Sequence, residues 1–184
     1  MQEQSISEDS RLIALIRNGD KHYFAEIIKK YQSTILSYLY RLTGSREVSQ
    51  DLAQDSFLSA YQAIIKDNAD ITLKPWLFRI ATNNAWKYYR RRKIISFTPF
   101  EDILDIGLPE SEATARDIER KLTIERALLK VPPDQRTCML LHFVEGFKYS
   151  DVAAIVGISE EAVRKRIARG SRKFQESYKQ EVSP

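Results

Sequence analysis

One stretch of the sequence interleaves cationic and aromatic side chains at helical spacing. Residues three or four positions apart share one helix face, and here they are Arg79, Asn83, Lys87 and Arg90. The same stretch ends in KYYRRRK at residues 87–93. Cations hold phosphates, aromatic rings stack on unpaired bases, and an amide hydrogen-bonds a base edge. The pattern therefore favours nucleic-acid binding over a merely solvated helix end.

A second candidate lies near the C-terminus, where residues 149–174 (YSDVAAIVGISEEAVRKRIARGSRKF) have the form of a helix-turn-helix. Gly157 supplies the turn, and Ser159 is a good N-cap for the helix that follows. Ala153 and Ala154 are small, which suits a place where two helices must approach closely. The order of these features predicts two short helices packed at a sharp turn.

The second helix of this segment has two contrasting sides. Its inward apolar stripe consists of Val163, Ile167 and Phe174. Its outward side carries Arg164, Lys165, Ala168, Arg169 and Arg172. A recognition helix needs an apolar back that seats it and a basic front that reaches base edges and phosphates. We predict that this helix reads duplex DNA, since a solvated charge run would require neither the turn glycine nor the N-cap.

A third polar face carries acidic residues. Asp51, Gln54 and Asp55 share one side of a predicted helix, and Leu58 follows one turn later. Carboxylates would repel DNA, so a DNA-binding module must point this face elsewhere. Periodicity alone favours a solvated surface here.

Apolar periodicity predicts an all-α chain, because strand-like alternation is nearly absent. In the first module we predict helices at about 9–17, 24–42, 46–66 and 75–93. Residues 101–119 then contain seven acidic side chains against a single arginine. In the second module we predict helices at about 115–130, 134–145, 149–156 and 159–178. The expected architecture is two small helical domains, 1–95 and 115–184, joined by an acidic linker at 96–114, with a helix-turn-helix in the second.

Composition narrows the function classes. The 184-residue chain has a formal charge of +4, and Cys138 is its only cysteine, which excludes an intrachain disulfide and a multi-cysteine zinc site. His22 and His142 lie far apart, so no metal or other cofactor is predicted. The N-terminus is unlike a signal peptide, and no apolar run approaches the length of a membrane span. We expect a cytoplasmic protein, not inserted in a membrane, that binds DNA rather than catalysing a reaction.

Three other interpretations compete with this one. A conventional helix-turn-helix regulator would bind duplex DNA unaided, but it needs neither the basic segment of the first module nor the acidic linker. A nuclease would need Asp, Glu and His clustered at metal-ligand spacing beside a basic groove, and the sequence has no such cluster. A helical interaction scaffold would not account for the two clusters of basic side chains, one in each module.

Nearly the whole chain resembles the extracytoplasmic-function class of sigma-70 family sigma factors from bacteria. DLAQDSFLSAY resembles the region-two helix that docks on the clamp helices of the largest subunit of RNA polymerase, which implies core contacts at Asp51, Gln54, Asp55 and Leu58. KPWLFRIATNNAWKYYRRR resembles the next helix, which binds the −10 element as a single strand and helps to melt it. The loop before it, at 67–72, corresponds to the family's pocket for a flipped base. The implied −10 contacts are Asn68, Arg79, Asn83, Asn84, Lys87, Tyr88, Arg90 and Arg91.

The C-terminal module resembles region four, which binds the −35 element as duplex. The implied −35 contacts are Arg164, Lys165, Ala168, Arg169 and Arg172. By the same resemblance the acidic linker would thread the RNA channel of the polymerase, and an anti-sigma factor would regulate the chain by covering these surfaces. The implied function is an alternative sigma factor that promotes promoter melting and transcription initiation. Gly170 replaces a usual alanine, and we expect it to weaken the recognition helix by up to about 1 kcal/mol.

Overall fold

The computed structural model describes residues 2–66, 70–95 and 115–182, and these contain helices and no strand. The α-helices are α1 (Gln2–Arg17), α2 (Tyr23–Thr43), α3 (Arg46–Lys66), α4 (Leu73–Ile95), α5 (Ala115–Leu129), α6 (Pro133–Met139), α7 (Tyr149–Val156) and α8 (Glu160–Val182). A π-helical turn, Leu140–Val144, follows α6. The all-α prediction is confirmed. Asn68 and the predicted linker at 96–114 lie outside the described residues.

The described residues divide into two compact units. The first comprises residues 2–39 and 50–95, and the second comprises residues 40–49 and 115–182. The division predicted from the sequence does not group residues 40–49 with the second unit. The domain boundaries at 95 and 115 remain a prediction.

The core of the first unit forms where α2 meets α4. The predicted apolar stripe of α2 is buried, with Ile27 and Leu39 both 0% exposed. The ring of Tyr38 meets that of Phe78 edge to face, with centroids 5.1 Å apart. The Tyr38 hydroxyl also hydrogen-bonds the Thr82 hydroxyl, at 2.8 Å, so this buried polar pair satisfies itself. These contacts fix the rotation of α4 and therefore determine which of its residues face outward.

The helix α1 is tied to α2 by a buried carboxylate. Asp9 accepts a hydrogen bond of 2.6 Å from the Tyr31 hydroxyl and one of 2.8 Å from the Lys30 ammonium. Lys30 also pairs with the exposed Glu8, at 3.0 Å. The helix begins at Gln2, earlier than the predicted start near Asp9, so Asp9 lies within the helix.

The helix-turn-helix of the second unit forms as predicted. Gly157 ends α7 in the left-handed conformation, at φ 75°, and Ser159 caps α8 by accepting a hydrogen bond of 3.2 Å from the Ala162 N–H. The buried side chains at their contact include Val152 and Val163, each 0% exposed. Of the two small residues expected at this contact, Ala153 is buried and Ala154 is exposed, because successive residues of a helix point 100° apart.

The single helix predicted at 134–145 is wrong in its second half. After Met139 the backbone widens, and the Glu145 N–H bonds the Leu140 carbonyl across five residues, at 3.0 Å. Gly146, at φ 77°, then turns the chain so that Phe147 is buried. The wider turn leaves Phe143 61% exposed, which an uninterrupted helical pattern does not predict.

Gly170 has a packing role that helix propensity does not capture. It is buried in α8, and a Cβ at this position would lie 2.5 Å from Met139 Sδ and 3.1 Å from Gln135 Cβ. The absence of a side chain therefore lets α6 and α8 approach closely. The expected cost to the isolated helix is offset by this contact.

Candidate nucleic-acid interface

The helix α4 presents a continuous cationic face to solvent. Its opposite side is anchored by Leu77, Phe78, Ala81 and Ala85, each no more than 2% exposed. The exposed side is called the α4 basic face here, and it consists of Arg79, Asn83, Lys87, Arg90 and Arg91. The helical spacing that predicted a shared face is thus reproduced, with every member free to reach solvent.

The C-terminal part of α4 adds aromatic rings to this face. The Arg92 guanidinium donates a hydrogen bond of 2.8 Å to the Tyr88 hydroxyl and lies 6.0 Å from the centroid of the Tyr88 ring. Tyr89 meets Tyr88 edge to face, with centroids 5.8 Å apart. Tyr88 is therefore a half-buried ring held in place beside exposed arginines, an arrangement suited to stacking on an unpaired base.

Asn84 occupies a different position from its neighbour Asn83. Its side-chain amide donates a hydrogen bond of 3.2 Å to the hydroxyl of Ser56 on α3. Ser56 is buried and in turn donates to the Leu52 carbonyl, at 2.6 Å. Asn84 thus faces α3, whereas Asn83 is exposed on the α4 basic face.

The predicted acidic surface lies on the outer side of α3. Asp51, Gln54 and Asp55 are exposed, and Leu58 is 54% exposed beside them. Gln54 and Leu58 also line an apolar cleft of about 560 Å³. The remaining lining residues come from α2, from α3 and from the turn before α2: Lys21, Phe24, Ala25, Ile28, Phe57 and Tyr61. This surface, the α3 docking face, combines carboxylates at its edge with an apolar interior.

The outward side of α8 is as predicted, with Arg164, Lys165, Ala168, Arg169 and Arg172 all exposed. The first turn of the helix supplies acidic partners for two of them. Glu161 pairs with Lys165 at 2.6 Å, and Glu160 pairs with Arg164 at 3.7 Å. The intervening Arg166 is half-buried and bonds Asp134 at 3.4 Å, which fastens α8 to α6.

The sequence patterns did not predict an aromatic stack that lies beside Arg164. The Arg164 guanidinium carbon lies 5.1 Å from the centroid of the Tyr149 ring. His142 in turn stacks on Tyr149, with the two ring centroids 4.4 Å apart and an interplanar angle of 25°. Tyr149 is the first residue of α7 and Arg164 lies in α8, so no helical periodicity in the sequence connects them.

The described residues contain no group of three or more His, Cys, Asp or Glu side chains able to hold a metal ion. Burial raises the pKa of the Cys138 thiol, although the neighbouring Arg166 partly opposes the shift. None of the helices in the described part of the chain is long and apolar enough to cross a membrane.

Comparison with known proteins assigns both modules. Residues 27–94 match the family model of sigma-70 region 2, and residues 121–174 match that of sigma-70 region 4. The RNA polymerase sigma-H factor of Pseudomonas aeruginosa is 33% identical over 174 residues, which cover 88% of this chain and 89% of that protein. The ECF RNA polymerase sigma factor SigW of Bacillus subtilis is 30% identical, with 86% of this chain and 90% of that protein covered.

The fold is also similar to that of solved structures. The sigma factor RpoE of Bartonella quintana, in complex with the anti-sigma factor NepR, matches with a TM-score of 0.70 at 23% identity, covering 88% of this chain and 98% of that one. CnrH, in complex with the cytosolic domain of CnrY, matches with a TM-score of 0.68 at 22% identity, covering 91% of this chain and 95% of that one. From the two family models and the extent of the relatives' identity, the chain belongs to the extracytoplasmic-function class of sigma-70 family sigma factors and is an alternative sigma factor.

Proposed function

We propose that this sigma factor divides promoter recognition between its two units. The α3 docking face binds core RNA polymerase, the α4 basic face captures the −10 element, and the outward side of α8 reads the −35 element. One observation carries the proposal: exposed cationic helix faces occur on both compact units, and an acidic face shares a unit with one of them. The chain acts by binding and catalyses no reaction.

The proposal for the −10 element follows from the side chains of α4. Arginines and lysine on the α4 basic face neutralise phosphates of the displaced strand. Asn83 is exposed and offers an amide to a base edge, while the fixed ring of Tyr88 offers a surface for stacking. Because these groups suit unpaired bases, binding shifts the melting equilibrium toward the open strand without nucleotide hydrolysis. Asn68 is proposed to contribute to this contact, and Asn84 to support it from within.

The proposal for the −35 element rests on the helix-turn-helix. The buried side of α8 packs on α5, α6 and α7, and its opposite side is exposed. Arg164, Lys165 and Arg169 lie within two turns near the start of α8, where recognition helices contact base edges. Ala168 leaves room for a base to approach, and Arg172 extends the cationic surface toward the phosphates.

The α3 docking face suits a protein partner better than DNA. Asp51 and Asp55 would repel phosphates, whereas the apolar cleft beside them can accept side chains from another helix. We propose the clamp helices of the polymerase's largest subunit as this partner. An anti-sigma factor that covered this surface or the cationic ones would block transcription, and the site of action is the cytoplasm, where the polymerase works.

The test measures binding of the full chain to a fluorescent promoter-length duplex, with and without core RNA polymerase, across a salt titration. Sequence-selective binding and −10 opening that require the core enzyme support the proposal. Asp51→Lys should abolish both by preventing docking. Glu119→Lys makes the same charge change at an exposed position of α5 in the other unit, and it should leave both nearly unchanged.

Two outcomes would contradict the proposal. Tight, selective binding by the chain alone, unaffected by core polymerase, would instead identify a stand-alone helix-turn-helix regulator. Equal loss in Asp51→Lys and Glu119→Lys would mean that net charge, rather than the α3 docking face, controls association with the polymerase.

A further inference from the structure

We propose that Tyr149 is a positioning residue for Arg164 and thereby helps to determine which −35 sequence the chain selects. The inference rests on the proposed role of α8 in reading the −35 element. It adds a residue that lies outside the recognition helix and that no periodic pattern connects to it. His142 stacks on the Tyr149 ring.

Arg164 is exposed yet held in one direction. Its side chain is 64% exposed, and it forms an ion pair of 3.7 Å with Glu160 one turn earlier. A pair at that distance on an exposed helix surface constrains a long side chain weakly. The Tyr149 ring, 5.1 Å from the guanidinium carbon, provides the second contact and comes from α7. The two contacts together hold the guanidinium beside the Tyr149 ring and the Glu160 carboxylate.

The Tyr149 ring is itself fixed. It stands at the first residue of α7, where the Asp151 carboxylate accepts a hydrogen bond of 3.2 Å from the Lys148 N–H and so secures the start of the helix. His142 stacks on the ring at 4.4 Å. The His142 Nδ1 lies 2.8 Å from the Phe147 carbonyl oxygen, so Nδ1 carries the proton and donates it. The stack is thus anchored to the backbone through His142.

This geometry suits readout of a base. A guanidinium that stacks on an aromatic ring uses its own flat face for that contact. Its N–H groups lie at the edge of the guanidinium and can still bond guanine O6 and N7 in a bidentate manner. Holding the side chain before DNA arrives also lowers the entropy lost on binding. Lys165 has no such ring contact among the described residues and pairs with Glu161 alone. We therefore expect Arg164 to contribute more to sequence selection, and Lys165 to contribute mainly charge.

The experiment selects a duplex library with a randomised −35 segment on the full chain bound to core RNA polymerase, and sequences the bound fraction. Arg164→Ala identifies the base positions that Arg164 reads, as those whose preference disappears. Tyr149→Leu should weaken preference at those same positions by about two- to fivefold, the range of an exposed cation–π contact. Tyr149→Phe keeps the ring and should retain the wild-type preference. In an Arg164→Ala background, Tyr149→Leu should change nothing further.

Tyr178→Leu is the matched control, because it makes the same change at a ring that also stacks on an aromatic neighbour, Phe174, at the other end of α8 from Arg164. It should leave the selected sequence unchanged. The proposal is overturned if Tyr149→Phe loses as much selectivity as Tyr149→Leu, if Tyr149→Leu weakens all sequences equally, or if it has no effect. A wild-type chain that selects no −35 sequence would overturn the proposed function as well, which separates that failure from failure of the positioning role alone.

Discussion

The amide of Asn84 donates a hydrogen bond of 3.2 Å to the hydroxyl of Ser56 and joins α4 to α3. The preceding residue, Asn83, is exposed on the α4 basic face. Two adjacent residues of the same type therefore lie in different environments, since neighbouring positions of a helix point in different directions. The bond also connects the proposed −10 surface to the helix that bears the proposed polymerase-docking surface.

The two asparagines should respond differently to truncation. Asn84→Ala removes an inter-helix hydrogen bond and should lower the free energy of unfolding by about 0.5–1.5 kcal/mol. Asn83→Ala should leave stability within about 0.5 kcal/mol of the parent but reduce −10 opening by the holoenzyme. Urea unfolding and a fluorescent base placed in the −10 element measure these two effects. A loss of stability in Asn83→Ala together with a loss of −10 opening in a stable Asn84→Ala would contradict the orientation of α4.

Arg90 on the α4 basic face is expected to act through phosphate contact. Arg90→Gln should weaken binding of holoenzyme to promoter duplexes of different −10 sequence by the same factor. It should also reduce the slope of log affinity against log salt by about 0.7–0.9, the contribution of one phosphate contact. Fluorescence anisotropy across a salt series measures the slope. A loss confined to one −10 sequence would identify Arg90 as a base contact instead.

The buried Asp9 carboxylate should stabilise the first unit more than its exposed neighbour does. Asp9→Ala leaves the Tyr31 hydroxyl buried without its acceptor and should cost about 1–3 kcal/mol. Glu8→Ala removes the other acceptor of Lys30, but that side chain is 65% exposed, so its loss should cost no more than about 1 kcal/mol. Denaturant unfolding of both variants checks the comparison. Equal costs would mean that the buried hydrogen bond contributes nothing beyond a surface pair.

The same cluster should make stability fall at alkaline pH. Burial and the hydrogen bond to Asp9 raise the pKa of Tyr31 above its ordinary value. Burial lowers the pKa of Lys30, but the bonds to Asp9 and Glu8 outweigh it and the net shift is upward. Both groups are thus held protonated in the folded state, and their stabilisation is present below the ordinary values near 10 and lost as pH rises through the raised ones.

Unfolding free energies measured between about pH 8 and pH 12 should therefore decline at the upper end of that range. Asp9→Ala should make the decline shallower, because it removes the Asp9 hydrogen bonds that contribute to raising both pKa values, although burial of Tyr31 and the Glu8 bond to Lys30 remain. An unchanged pH profile in this variant would place the alkaline sensitivity elsewhere in the chain.

Gly170→Ala tests packing against helix propensity. The substitution should stabilise the isolated helix by up to about 1 kcal/mol, but its Cβ would meet Met139 Sδ at 2.5 Å and Gln135 Cβ at 3.1 Å. Overpacking of this kind costs about 1–3 kcal/mol, so we expect a net loss of stability. In a Met139→Ala background the same substitution should become neutral or stabilising. Thermal unfolding of the two pairs measures the change, and a stabilising effect in the parent would show that Met139 moves aside freely.

Much of the fold follows from local pattern. The apolar stripe of α2, the Gly157 turn and the Ser159 cap all depend on the helical period and on the φ preferences of single residues, which the sequence states directly. The exposure of the α4 basic face and of the outward side of α8 follows for the same reason. Once a helix buries its apolar stripe, the side chains on the opposite face must reach solvent.

Other features depend on contacts between residues distant in sequence. Asn84 and Asn83 are indistinguishable by type, and only the Ser56 hydroxyl across the helix contact decides which of them faces α3. The ring contact between Tyr149 and Arg164 joins two helices whose relative position periodicity does not encode. The sequence by itself therefore determined which faces are cationic, acidic or apolar. The tertiary structure decided which individual side chains on those faces are held by partners, because pairing depends on how helices pack in three dimensions.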